Sequence, residues 1–468
     1  MAQADRFEAR GARLGRRAFL AGSAHFGAGL LTAGVWGRLF ERAAEAGSFA
    51  RLSQTATGPY GPLAPVADLR TGLPLLKLPA GFSYRTLAFN GDLLTSGAPM
   101  PLRPDGMACF SASAKVGRLV RNHEVLTDTG SFAPPAATYD PVAGGATTVL
   151  DVDLETGEAL RSHANLGGTL VNCAGGPTPW GTWLTCEETV VGVGNGLLQR
   201  PHGYVFESRP FGPSSAEPLL DMGRFRHEAA AVDPQSGCVY LTEDATPAGF
   251  YRFTPRTPGT LANGGRLEML RVKGTPNADL AVGQAAGATF DVEWVRIDTP
   301  DTTDPAGAGS VFAQGSAQGG AAFARLEGIW FDGGRLFFAS TTGGAEAQGQ
   351  IYEYVPAGAK LRLVFESPSS SVLSNPDNLT VSPRGGIAVC EDGTGPTRLH
   401  GLSVDGRIFP FVESAIVLDG SVNLLTGDHS GSEFCGVCYD PTGTWMFFNS
   451  QEPGITFAVT GPWGSGAL

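Results

Sequence analysis

The sequence predicts an all-β protein, a β-propeller of six or seven blades with loop insertions, on three observations. Glycine and proline number 66 and 33 among 468 residues. That is enough to punctuate many short strands, and too much for a helical bundle. It stays below the roughly 25–30% that marks low complexity. Hydrophobic residues are 42% and charged residues 17%, a balance that buries a large core. Finally, a strand–turn–strand pattern returns about every 50 residues, which is the mark of stacked or radial repeats. A β-sandwich gives no reason for repeats in register.

The chain begins with an address. Within residues 1–46, seven arginines face four acids, and Arg16-Arg17-Ala18-Phe19-Leu20 precedes a mildly apolar run to Trp36. Paired arginines before a weakly apolar, glycine-broken run resemble a twin-arginine export signal, and Ala44-Glu45-Ala46 has the form of a cleavage site. The expected domains are therefore a signal over 1–46 and one propeller domain over 47–468. Removing the signal takes the net charge from -12 to -15. No other stretch is apolar for long enough to span a membrane. The expected destination is the periplasm or the exterior, reached through the twin-arginine machinery, and the expected state is a monomer. An acidic chain with four lysines has no basic face for nucleic acid.

The repeats follow in order. Arg121-Asn-His-Glu124 opens the first. Asn172 to Glu188 forms the second, with Cys173 in its second position and Glu188 at its close. His227 to Asp244, Leu326 to Ser340, Pro376 to Asp392 and Ser432 to Asn449 carry an acid in second position: Glu228, Glu327, Asp377 and Glu433. From Glu124 through Cys173 to Glu433 the intervals are 49, 55, 99, 50 and 56, the 99 being two units. A D-P-x-G-like turn and a second apolar strand follow most of these openings. The stretch from Pro300 to Gly320 reads as a loop just before Arg325.

Equivalent positions of successive blades lie around one axis, so these acids converge on the central channel. Carboxylates crowded there raise one another's pKa, and cations relieve the conflict. Oxygen ligands favour hard ions, and Cys173 adds a soft ligand suited to a transition metal. The seven cysteines are odd in number and irregularly spaced, a poor disulfide framework. Cys435 and Cys438 form a single C-x-x-C with no second pair. No G-x-S-x-G elbow and no Walker loop occurs.

The same segments resemble a known family. Asn172 to Glu188 is similar to the signature of PhoX-type alkaline phosphatases. Arg121-Asn-His-Glu124, Arg226-His-Glu228, Arg325-Leu-Glu327 and Phe447 to Phe457 match that family in order. The resemblance spans roughly residues 60–463, with Leu326 where the family has proline. It implies a six-bladed propeller whose channel holds iron and calcium and hydrolyses small phosphomonoesters without a covalent phosphoenzyme. It implies that Cys173 and Glu188 bind iron, that Glu327 joins the cluster, and that Arg325 faces the substrate phosphate. Glu124, Glu228, Asp377, Glu391, Asp392 and Glu433 are further metal-ligand candidates, placed by repeat register. The alternatives are a calcium-dependent lactonase or esterase propeller, which has no need of Cys173, and an exported calcium-binding propeller without catalysis.

Overall fold

Short alternating strands joined by glycine turns build antiparallel sheets, each a meander of neighbouring strands. The computed structural model describes residues 57–126, 129–193, 198–212 and 214–468. The twin-arginine segment, residues 1–46, lies outside the described residues. The chain divides into two units, Met1–Arg51 and Leu52–Leu468, and every described residue belongs to the second. The described architecture is all-β and propeller-like. Among the described residues no helix is long and apolar enough to cross a membrane.

The first meander runs through Pro104–Ser113, Val116–His123, Gly145–Asp153 and Ala159–Thr169. The next sheet has three strands, Asn172–Pro177, Trp183–Glu187 and Val205–Ser208. Two further meanders begin at His227–Val232 and at Leu326–Asp332. The strand Thr289–Arg296 pairs with the outer strand of each and joins them into one nine-stranded sheet. Pro376–Val381 begins the next sheet, which Leu76–Pro79 and Leu63–Val66 extend. The last sheet holds Phe434–Tyr439, Met446–Ser450 and Ile455–Thr460, and Ser83–Phe89 from early in the chain completes it. Early and late segments are thereby zipped together. The Tyr60 hydroxyl also donates to the Leu468 carbonyl at 3.0 Å.

The first strands of these sheets neighbour one another in a closed ring. Pro104–Ser113 touches Asn172–Pro177, and the contacts pass on through the strands starting at His227, Leu326, Pro376 and Phe434, back to Pro104–Ser113. The sheets pack face to face through apolar side chains. Phe250 and Phe338 stack with centroids 4.4 Å apart and weld the two meanders of the nine-stranded sheet together. Fully burying an aromatic side chain of this kind contributes about 1.5–3 kcal/mol.

Every inner strand bulges near its start. The register shifts after Pro104, Asn172, His227, Leu326 and Pro376, and after Cys435 in the last sheet. A bulge re-aims the neighbouring side chain and interrupts the ladder. Glycine makes this possible where strands approach closely. A Cβ on Gly328 would lie 2.7 Å from the Asn378 Cα, and one on Gly436 would lie 2.3 Å from the Asp105 carbonyl oxygen. Side-chain amides bind carbonyls of the neighbouring inner strand. Asn122 donates to the carbonyls of Cys173 and Ala174, at 3.1 and 2.7 Å, and Asn449 to that of Asp105 at 2.6 Å.

Candidate metal centre

The strand register defines the site. The residues Pro104, Asn172, His227, Leu326, Pro376 and Phe434 pair with His123, Glu187, Glu243, Ser340, Glu391 and Ser450. The residue after each of the first set is therefore equivalent from sheet to sheet: Asp105, Cys173, Glu228, Glu327, Asp377 and Cys435. All are at most 8% exposed. The residue after each of the second set forms another tier: Glu124, Glu188, Asp244, Thr341, Asp392 and Gln451. One hydrogen bond repeats in all of them. Their backbone N–H groups donate to the carbonyls of Arg103, Val171, Arg226, Arg325, Asn375 and Glu433, at 2.8–3.2 Å. That carbonyl set is the outermost tier, two residues before the deep one.

This register corrects one expectation. In the last sheet the slot equivalent to Glu228 and Glu327 belongs to Cys435, and Glu433 lies in the outer tier beside Arg103 and Arg325. Residues two apart on an extended segment share a face, so either one fits an alternating pattern.

Side chains from different sheets meet here. Ligand atoms of Cys173, Glu188 and Glu228 lie within 4.8 Å of one another, and so do those of Asp105, Glu433 and Cys435. The Cys173 Sγ lies 3.8 Å from Asp105 Oδ2. Gln451 Nε2 donates to Asp105 Oδ2 at 2.9 Å, to Glu433 Oε1 at 2.8 Å and to Glu124. Asp392 adds its charge beside Glu433 and Glu327. Glu391 stands apart. Its carboxylate accepts from Ser374 N at 2.8 Å, from the Arg398 side chain at 2.9 Å and from His400 Nε2 at 2.9 Å, and it braces its own sheet.

Two arginines occupy equivalent outer positions. Arg103 and Arg325 both have left-handed backbone, with φ of 50° and 49°, and so do their register equivalents Val171 and Asn375, both at 52°. Arg325 makes a forked pair with Asp244, Nε at 2.8 Å and a terminal nitrogen at 2.9 Å, and also reaches Glu327. Arg103 contacts Gln451 at 3.1 Å and Glu124 at 3.2 Å. Sequence reasoning missed Arg103, Asp105, Asp244, Cys435 and Gln451 as site residues. Signals existed for two of them. Pro104-Asp105 repeats Pro376-Asp377, and Glu243-Asp244 repeats Glu391-Asp392.

The electrostatics call for cations. Burial, reinforced by neighbouring carboxylates, pushes Asp105, Glu188, Glu228, Asp377 and Glu433 well above the usual carboxylate range. Burial likewise raises Glu327 to about 7, although Arg325 pulls the other way. The Cys173 thiol is pushed up by burial and then by Asp105 and Glu228. Glu228 Oε1 is buried with no hydrogen-bond partner. An orphaned carboxylate oxygen in such company is costly unless an ion binds it. The donor set fits: thiol with carboxylates suits a transition metal, and carboxylates alone suit a hard cation. Such a centre, with two guanidiniums above it, can hold an oxyanion over clustered positive charge.

Comparisons with known proteins identify the family and the fold. The family model for alkaline phosphatase PhoX matches residues 58–158 and 142–454. No curated protein matches the chain. Among solved structures, Pseudomonas fluorescens PhoX in complex with vanadate, a transition state analogue, is similar at 17% identity. The alignment covers 87% of this chain and 98% of that one, with a TM-score of 0.65. The gluconolactonase XC5397 from Xanthomonas campestris aligns over 86% of this chain and 98% of its own, at 13% identity and a TM-score of 0.42. At 17% identity the likeness to the Pseudomonas fluorescens structure concerns fold alone.

Proposed function

Because the chain belongs to the alkaline phosphatase PhoX family, we propose that it is an exported, metal-dependent phosphomonoester hydrolase working in the channel of a six-bladed propeller. The blade count rests on the repeated hydrogen bond, which recurs once per sheet around the ring. The propeller domain runs from residue 47 to the end, after a twin-arginine signal over 1–46. The observation that carries the reading is the pair of stacked tiers, rich in carboxylates and thiols, beneath Arg103 and Arg325.

In this reading Cys173, Glu188 and Glu228, whose ligand atoms converge, would hold iron. Asp105, Glu433 and Cys435 form a second convergent group, and Glu124, Glu327, Asp377 and Asp392 would complete the set as calcium ligands. Bound ions supply positive charge to the phosphate oxygens and lower the pKa of the attacking water. The chain's own residues do the positioning. Arg325 presents a planar fork, already extended by its pairing with Asp244, and turns it on the phosphate. Arg103, its register equivalent, holds a second oxygen from another side. Glu327 and Asp244 neutralise Arg325 before substrate arrives. Water attacks phosphorus, the ester P–O bond breaks, and the alcohol leaves with a proton.

Elemental analysis of protein purified after export, with turnover of p-nitrophenyl phosphate, tests the proposal. Stoichiometric iron together with turnover is expected. Calcium without iron, and no phosphatase turnover, would leave the lactonase or plain binding reading instead.

A further inference from the structure

A cavity of about 500 Å³ opens at the rim, between the Ser83–Phe89 and Ala159–Thr169 strands. Both are the last strands of their sheets, so this cavity is built from outer strands, whereas the channel is built from inner ones. Arg70, Arg85 and Arg161 line it, and Leu93, Met100 and Leu160 give it apolar wall. Leu93 and Leu160 are 61% and 53% exposed, an apolar mouth that water covers poorly.

Behind Met100 lies Arg121, only 1% exposed. Its Nη2 sits 2.9 Å from the Met100 sulfur and 3.4 Å from the Thr148 hydroxyl, and its Nη1 reaches the hydroxyl of Thr456. No carboxylate pairs with Arg121 among the described residues. Its Nε is buried without a hydrogen-bond partner, and so is the Nε of Arg85. A buried guanidinium lacking a counter-charge is expensive, and burial draws its pKa down to about 10.

The neighbouring charges do not settle the account. Asp92 pairs with Arg70 at 3.1 Å and Glu158 with Arg85 at 3.3 Å. Arg161 must share Asp151 with Arg118, at 2.7 and 2.6 Å. Asp92 and Glu158 thus match only Arg70 and Arg85, and Arg121 behind them keeps no carboxylate of its own. The cavity carries a surplus of positive charge in a chain whose net charge is -12. Low-dielectric walls focus such a field into the opening.

We propose that this cavity binds a small organic anion, with an oxyanion head on Arg85 in front of the buried Arg121, and an apolar body against Leu93, Leu160 and Met100. The proposal is independent of the phosphatase reading. Octanoate and inorganic phosphate, each titrated calorimetrically into the full metal-loaded chain, test it.

Octanoate is expected to fill one site per chain and to bind more tightly than phosphate. Arg85→Ala should weaken octanoate about tenfold, the size expected for one charge-assisted contact. Glu158→Gln should tighten it several-fold by releasing Arg85, an effect that a purely structural pair would not give. Phosphate binding that is as tight as octanoate's and that Arg85→Ala weakens equally overturns the organic-anion assignment. So does octanoate affinity that ignores both substitutions, because it would then sit on the channel ions. Absence of saturable binding up to about 10 mM, where even a site of about 1 mM fills, also overturns it.

Discussion

At the scale of single residues, charge and ligand softness decide what each side chain does. Cys173 meets three carboxylates within 4.8 Å, those of Glu188, Glu228 and Asp105, and its thiol is hard to ionise there without a cation. Cys173→Ser is therefore expected to lose most of its iron and turnover while keeping its β circular dichroism. Iron content equal to the parent, with near-normal turnover, would show a plain buried thiol. Arg325 is bound only to carboxylates, so Arg325→Ala frees ligands rather than removing them. It should retain its metals but lose about 10–1,000-fold in kcat/KM, or roughly 1.4–4 kcal/mol. Arg325→Lys recovers only part, since a point charge lacks the fork. Unchanged kcat/KM and unchanged phosphate inhibition in Arg325→Ala would remove the residue from the substrate site.

Elements matter through the bulge that every inner strand carries. It points one side chain into the channel and lets adjacent inner strands touch backbone to backbone. Gly436 has a φ of 65°, and a Cβ there would meet the Asp105 carbonyl at 2.3 Å. Gly436→Ala combines left-handed strain of about 1–2 kcal/mol with a backbone clash. It should lower the melting temperature and displace Asp105, weakening metal retention. A variant that melts like the parent and holds metal equally well would mean that the two strands part at little cost. The asparagines act at the same scale, because Asn122 and Asn449 hold carbonyls of the neighbouring inner strand.

For the whole molecule, the channel acids link metal, pH and stability. In the metal-stripped chain Glu327 titrates at about 7 instead of 4.5, and buried Glu243 likewise at about 7. A raised folded-state pKa means that the folded chain binds the proton more tightly than the unfolded chain. The corresponding stability is fully present below about pH 4.5 and is lost as pH rises through 7. Thermal melts of stripped protein should accordingly fall across that window. Adding metal should raise the melting temperature at neutral pH, because a ligand of the native state stabilises it. The loaded protein should instead weaken in acid, as protons displace the ions. Stripped and loaded proteins with identical melting profiles from pH 4.5 to 8 would contradict a metal centre.

How much of this was legible depends on what is local. The strands, the turns and the 50-residue period are written in neighbouring residues, because alternation and glycine placement act over a few positions. They identified an all-β repeat protein and brought Cys173, Glu188, Glu228, Glu327 and Asp377 to notice. The Cys173 segment carried enough specific residues to indicate the family. Register was not legible. Glu433 and Cys435 alternate alike, and only the pairing of Phe434 with Ser450 put Cys435 in the deep tier. Glu391 looks like its neighbour Asp392, yet hydrogen bonds from Arg398 and His400 engage it within its own sheet. Arg103 and Arg325 became equivalents only through the strand register and the hydrogen bond that repeats in each sheet. The sequence by itself determined which groups the chain carries and how often they recur. The tertiary structure alone decided which of them share one buried space, because that depends on strand pairing, bulge position and ring closure between residues hundreds of positions apart.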